Sequence, residues 1–133
     1  MPKDISIVIP IYNDALSIGE TIDNILNFFS LANLDGELII VSDGGKADGV
    51  QVVKEKMVVS GQIHLVDRKK NKGKGYSVRE GLSKANGKII FYTDADLPYG
   101  TKAIMQMYDK LSTGEADLIL ANRNLSGAEG MNK

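Results

Sequence analysis

The residues best equipped to do chemistry are Asp94 and Asp96, in Asp94-Ala95-Asp96, directly after the apolar run Ile89 to Tyr92. Two carboxylates spaced i, i+2 at a strand end can both reach one hard divalent cation, and Mg²⁺ or Mn²⁺ held this way completes its shell with phosphate oxygens and water. The same pair also suits turn or helix-cap positions ahead of Pro98 and Gly100, where Asp is common. Asp43 follows a second apolar run, with glycines at 44, 45 and 49 that let the backbone turn away from a bound group. Its carboxylate can accept from a base or ribose, or close an Asx turn. Because Asp48 is available to cap the next helix, Asp43 is expected to contribute little to stability. Pro10-Ile11-Tyr12-Asn13-Asp14 offers a ring that can stack on a nucleobase and polar groups that can bond it, although Tyr12 equally suits a rim position. Arg68, Lys69, Lys70, Lys72 and Lys74 place five cations within seven residues, which fits either a diphosphate contact or a solvated loop. His64 falls inside a strand and reads as a packed or half-exposed side chain.

The elements that position these residues alternate regularly. Ile5 to Ile9 reads as a strand, followed by a helix with Ile18, Ile22, Ile25, Leu26 and Phe29 at helical period. Ser17-Ile18-Gly19-Glu20 fits a capping box and predicts a start near Ser17. Leu38 to Val41 is a second strand, and Asp48 the predicted N-cap of a helix carrying Val50, Val53 and Met57. A strand over Gln62 to Val66 leads to a helix over Gly75 to Asn86, closed by Gly87. Lys88 to Thr93 is the fourth strand, Thr101 to Thr113 a helix, and Asp117 to Ala121 a fifth strand. Strands apolar on both faces and joined by crossover helices predict an open, mostly parallel sheet with helices on both faces. In such folds ligands sit beyond the carboxyl ends of the strands, where all the candidates above fall.

Composition narrows the chemistry. The 133 residues hold 16 Lys and Arg against 17 Asp and Glu, with 43% apolar side chains, enough for one domain burying roughly two-thirds of its unfolded surface. The absence of Cys excludes disulfides, thiolate zinc sites and cysteine nucleophiles, and one His leaves little room for a Ser-His-Asp triad. A net charge of −1 supplies no global field for nucleic acid. Apolar runs of four to six residues fall short of the roughly 20 a membrane helix needs, and Met1 to Asp4 lacks the features of a secretory signal, so cytoplasm is the expected compartment. Neither G-x-G-x-x-G after the first strand nor G-x-x-x-x-G-K-[ST] anywhere is present.

In order along the chain, Val8 to Asp14, Val41 to Gly49, Asn71 to Gly81 with its Gly73-Lys74-Gly75, and Tyr92 to Pro98 with its Asp94-Ala95-Asp96-Leu97 resemble family 2 glycosyltransferases, over about residues 5 to 123. The Gly-Lys-Gly and Asp-Ala-Asp-Leu segments look most like polyprenyl-phosphate or dolichyl-phosphate glucosyl- and mannosyltransferases. The resemblance implies an α/β fold of GT-A type and inverting transfer of a sugar from a nucleoside-diphosphate sugar, a UDP- or GDP-sugar. It implies assistance by Mg²⁺ or Mn²⁺ and an acceptor that is a glycan or a polyprenyl phosphate at the cytoplasmic membrane face. Pro10, Tyr12, Asn13 and Asp14 would line the nucleoside pocket, with Asp43 on the base. Asp94 would lie near ribose and metal, and Asp96 on the metal of this DXD motif. Lys74 and Arg123 would lie near the nucleotide and its diphosphate. The resemblance names no catalytic base. On this reading residues 1–123 form a donor-binding domain, and 124–133 open an acceptor half that is missing, truncated or disordered. A nucleotidyltransferase of sugar phosphates would need an Arg- and Gly-rich loop where Tyr12-Asn13-Asp14 stands, and a receiver-like binding module would need Lys where Arg123 stands.

Overall fold

The computed structural model describes residues 2–45, 47–97 and 100–114, with the backbone of 120–121 and 131–132. It divides into two compact units, Met1–Asp96 and Leu97–Lys133. The first unit runs β1 (Lys3–Ile11), α1 (Ala15–Leu31), β2 (Gly36–Asp43), α2 (Ala47–Val59), β3 (Ile63–Arg68), α3 (Lys74–Lys84) and β4 (Gly87–Tyr92). The four strands form one sheet in the order β3-β2-β1-β4, and every neighbouring pair is parallel.

Each strand presents one set of side chains to each face. In β1, Ile5, Ile7, Ile9 and Ile11 point one way and Val8 the other, all buried. A Cβ on Gly49 of α2 would lie 3.5 Å from the Ile11 side chain, whereas one on Gly81 of α3 would lie 2.3 Å from that of Val8. Helices α2 and α3 therefore cover opposite faces, as right-handed crossovers require when the chain moves from β1 to β3 and then returns to β4. Helix α1 buries Ile18, Ile22, Ile25 and Phe29, each fully buried aliphatic side chain contributing about 1.5–3 kcal/mol. Gly36 admits the Phe29 ring, since a Cβ there would lie 2.6 Å from it.

The polar groups of the lower sheet are satisfied locally. Glu37 is buried; it accepts from Ser6 Oγ (2.6 Å) and the Asn86 amide (2.6 Å), and lies 3.5 Å from His64 Nε2. Ser6 Oγ in turn accepts from the Gly87 amide at 2.7 Å. His64 is thus an exposed residue of β3 paired to a buried carboxylate.

Three local expectations are corrected. Helix α1 starts at Ala15, so Ser17 lies in its first turn, its amide bonded to Asp14 O at 3.1 Å, and no side-chain cap bond forms at Asp14. Asp48 sits one residue inside α2 rather than ahead of it. Gly87 opens β4 instead of ending α3, which closes at Lys84 with Ala85 in an extended conformation; a Cβ at Gly87 would lie 2.5 Å from the Ser6 amide nitrogen, so glycine serves the close approach of β4 to β1.

In the second unit, α4 (Gly100–Ser112) buries Ala103, Ile104 and Met107 and is followed by Gly114 at φ +79°. The expected fifth parallel strand is represented by β5 (Leu120–Ala121), paired antiparallel with β6 (Met131–Asn132) in a separate two-stranded sheet. The nine residues between them are fewer than the dozen or more that a parallel crossover takes.

Candidate functional site

The strand order reverses its winding between β1 and β4, so their carboxyl ends flank the switch point where open α/β sheets bind ligands. Tyr12, Asn13 and Asp14 follow β1, and Asp94 and Asp96 follow β4. The Asp94 segment is held from two sides: the Thr93 amide donates to Val8 O at 3.0 Å, and buried Thr21 of α1 donates to Ala95 O at 2.5 Å. Asp94 pairs with the Lys74 ammonium at the first residue of α3, the two side chains being 39% and 61% exposed. Asp96 is exposed. These are hard oxygen donors of the kind a Mg²⁺ or Mn²⁺ ion accepts, and two carboxylates suffice when phosphate and water complete the shell. Among the described residues no group of three or more His, Cys, Asp or Glu stands ready to enclose a metal alone.

Asp43, at the end of β2, is more deeply engaged than its glycine-rich surroundings suggested. Its Oδ1 accepts from Arg68 Nη2 at 2.5 Å and from the Lys72 amide at 2.8 Å, and its Oδ2 from the Gly73 amide at 2.9 Å. Arg68 is its register partner on β3, and the two side chains are only 11% and 7% exposed for Arg68 and Asp43 respectively. The guanidinium also donates to Glu80, to Ser77 Oγ and to Lys70 O, and lies 4.9 Å from the Tyr76 ring centroid. Burial raises the Asp43 pKa, but the Lys72 amide, the Arg68 side chain and the Gly73 amide outweigh it and hold the carboxyl below its ordinary 3.8. Asp43 therefore ties the end of β2 to Arg68 and to the Lys72 and Gly73 amides, a structural engagement that the reading of it as a residue contributing little to stability did not foresee.

Two glycines draw three loops together. A Cβ on Gly45 would lie 1.7 Å from Tyr12 O, and one on Gly44, at φ +74°, 2.7 Å from the Asn71 amide nitrogen. The loops after β1, β2 and β3 thus touch backbone to backbone, which is a closer reason for these glycines than space for a ligand. The segment 72–74 joins the two acidic stations, since its Lys72 and Gly73 amides bond Asp43 while the Lys74 ammonium holds Asp94.

Of the other expected residues, Pro10 is half-buried within β1, Tyr12 is 49% exposed at its rim, Asn13 is exposed, and Asp14 turns back to accept from the Tyr12 amide at 3.0 Å. Arg123 lies outside the described residues. Thr21, Ser77, Glu80 and the hub role of Arg68 escaped the sequence reading. A polar Thr within the apolar stripe of α1 was the available signal for the first, and the register of Asp43 with Arg68 for the last. A groove of about 170 Å³ beside the site is lined by Gly44, Gln51, Lys54, Asp67 and Lys69 among others. It includes neither Asp43 nor Asp94, so we place the site at the strand ends instead.

Three comparisons bear on this arrangement. The model of the family described as "Glycosyl transferase family 2" matches residues 6–132. The chain is 29% identical over 109 residues to the uncharacterized glycosyltransferase YkcC of Bacillus subtilis, covering 82% of this chain and 34% of that protein. It is 26% identical over 136 residues to dolichyl-phosphate beta-glucosyltransferase ALG5C of Trichomonas vaginalis, covering 95% and 40%. Among solved structures, mannosyltransferase PcManGT from Pyrobaculum calidifontis, in complex with GDP-Man and Mn²⁺, superposes with a TM-score of 0.63 at 24% identity, covering 72% of this chain and 28% of that one. That likeness shows the GT-A fold expected from the motifs. The chain spans about a third to two-fifths of the length of these two relatives.

Proposed function

Because this chain belongs to glycosyl transferase family 2, we propose that its strand-end site binds a nucleoside-diphosphate sugar and serves metal-assisted, inverting transfer of the sugar to an acceptor such as a polyprenyl phosphate. The observation that carries the reading is the placement of Asp94 and Asp96 at the switch point, beside the Tyr12 loop and linked through residues 72–74 to Asp43. An acceptor oxygen forms a bond to the anomeric carbon as the bond from that carbon to the diphosphate breaks, and the nucleoside diphosphate leaves with the electron pair. When bound, the divalent ion supplies charge neutralisation for that leaving group. The chain's own contribution is to orient: Thr21 and the Val8 carbonyl hold the Asp94 segment, and Lys74 brings a cation to the same edge. The dolichyl-phosphate relative supports the polyprenyl acceptor, and the GDP-Man and Mn²⁺ in the structural neighbour support donor class and metal. No described helix is long and apolar enough to cross a membrane.

The test is calorimetric titration of UDP and GDP with and without Mn²⁺ against the wild type and Asp96→Asn. Tighter binding with Mn²⁺ in the wild type, lost in a folded Asp96→Asn protein, is expected. Equal Mn²⁺ dependence in both would remove the metal assignment, and no nucleotide binding under any condition would remove the reading.

A further inference from the structure

Charge is unevenly distributed along this chain. Residues 69–93 hold seven Lys and Arg against one acid, Glu80, a net charge of +6 within a chain whose total is −1. Glu80 is engaged by Arg68, and the flanking Asp67 and Asp94 by Lys69 and Lys74. Lys70, Arg79, Lys84 and Lys88 are exposed and have no acidic partner among the described residues.

The fold gathers most of this charge on one side and sets apolar side chains among it. Helix α3 packs on β1 and β2, where a Cβ at Gly81 would lie 2.3 Å from the Val8 side chain and 3.3 Å from that of Val41. Ile90 and Tyr92 of the edge strand β4 are in register with Ser6 and Val8, so they point to the sheet face that α3 covers. The helix stops short of them, and they stay 41% and 61% exposed. Lys74, Val78 and Leu82 repeat every four residues and share the flank of α3 that reaches Asp94 beyond β4. That spacing sets exposed Leu82 beside the bare half of β4. Lys88 stands two residues before Ile90 on the same face of the strand, and Lys84 closes α3. Leu82, Ile90 and Tyr92 thus form an apolar strip bordered by Arg79, Lys84 and Lys88.

From this arrangement we infer that the α3 and β4 side of the sheet is a docking surface for an anionic lipid bilayer. Apolar side chains alone suit many partners, but ringed by unpaired cations they match an interface whose headgroups are negative and whose acyl region is apolar. Long Lys and Arg side chains lay their stems along such a strip and keep their charges among the headgroups, and Tyr is enriched at that depth because its ring is apolar and its hydroxyl polar. Each basic residue near an anionic bilayer is worth roughly fivefold in partitioning. Several of them with a small apolar strip give reversible, salt-sensitive attachment. A soluble polyanion would use the cations and leave the apolar strip without a partner. The strip begins at the Lys74 and Asp94 pair, so a bilayer lying against it stands beside the strand ends, where a polyprenyl phosphate acceptor would arrive. The attachment goes beyond the nucleotide-sugar reading, because none of Leu82, Lys84, Lys88 and Ile90 belongs to that site.

The experiment is cosedimentation of the chain with vesicles of phosphatidylcholine, alone or mixed with phosphatidylglycerol, at low and at near-physiological salt. The proteins are the wild type, Lys88→Glu, Ile90→Ser and, on α2 across the sheet, Lys54→Glu, each checked for folding by circular dichroism. The wild type is expected on the phosphatidylglycerol vesicles only, and less at the higher salt. Folded Lys88→Glu should lose at least about fivefold in partitioning and Ile90→Ser about threefold, while Lys54→Glu should bind as the wild type does. No attachment of the wild type would overturn the inference. Equal losses in Lys88→Glu and Lys54→Glu would overturn it by showing a diffuse charge effect. Unchanged attachment of folded Ile90→Ser would overturn it by showing binding through charge alone, as to any polyanion. A lipid-free dimer in size-exclusion chromatography, abolished by Ile90→Ser, would assign the face to a second copy and overturn it too. If Lys88→Glu or Ile90→Ser does not fold, Lys84→Glu and Leu82→Ser report on the same surface. Nucleotide calorimetry on the same samples separates the two readings, since loss of attachment leaves nucleotide affinity unchanged.

Discussion

Replacing Arg68 with Met removes the centre of the loop network while keeping the length of the aliphatic stem. The guanidinium serves Asp43, Glu80, Ser77 and Lys70 O together. Removing one partner of a buried ion pair typically costs about 3–5 kcal/mol. Asp43 keeps its two amide donors, and Glu80, with its side chain 29% exposed, regains water, so the lower end of that range, about 3 kcal/mol, is expected. For a domain of this size that is a drop in Tm of about 10–15 °C. A pH signature accompanies it. The folded pKa of Asp43 lies below 3.8, so its stabilisation is present above the unfolded pKa and fades as pH falls through the folded one. In Arg68→Met two of the lowering influences vanish while burial, which raises the pKa, stays. The folded pKa therefore rises, and acid unfolding should begin at a higher pH than in the wild type. Urea melts of both proteins at pH 7, with acid titrations followed by circular dichroism, measure both effects. A loss under about 1 kcal/mol at pH 7, the scale of a surface pair, together with superimposable acid transitions, would refute the buried-hub argument.

Other perturbations separate local roles. Gly45→Ala should destabilise severely, because its Cβ would sit 1.7 Å from the Tyr12 carbonyl oxygen, and the chain should lose nucleotide affinity together with thermal stability in a melting assay with and without UDP. Ser6→Ala leaves the Gly87 amide and one Glu37 contact unpaired, so chemical denaturation should show a loss of about 1–3 kcal/mol with unchanged nucleotide affinity. Lys74→Met breaks a partly exposed pair and should change stability by less than about 1 kcal/mol while weakening diphosphate binding, as measured by calorimetry.

Much of the framework was legible from the residues themselves. The β-branched runs at 5–9 and 38–41, and helical periods such as Ile18, Ile22 and Ile25, state which faces are buried, because burying apolar area is roughly additive along a chain and leaves a period in the sequence. The carboxylates at the strand ends followed from the same alternation, since each stands where an apolar run stops. What the tertiary structure alone decided are the partners. Asp43 looked dispensable beside glycines and a spare cap at Asp48, yet the register of β2 with β3 sets Arg68 against it. Gly44 and Gly45 read as freedom for a ligand but serve contact between loops far apart in sequence. Thr21 supports the Ala95 carbonyl from 74 residues away. Hydrogen bonds and ion pairs are short-ranged and directional, so their energy depends on which side chains the sheet brings within about 3 Å, and sequence spacing does not carry that information.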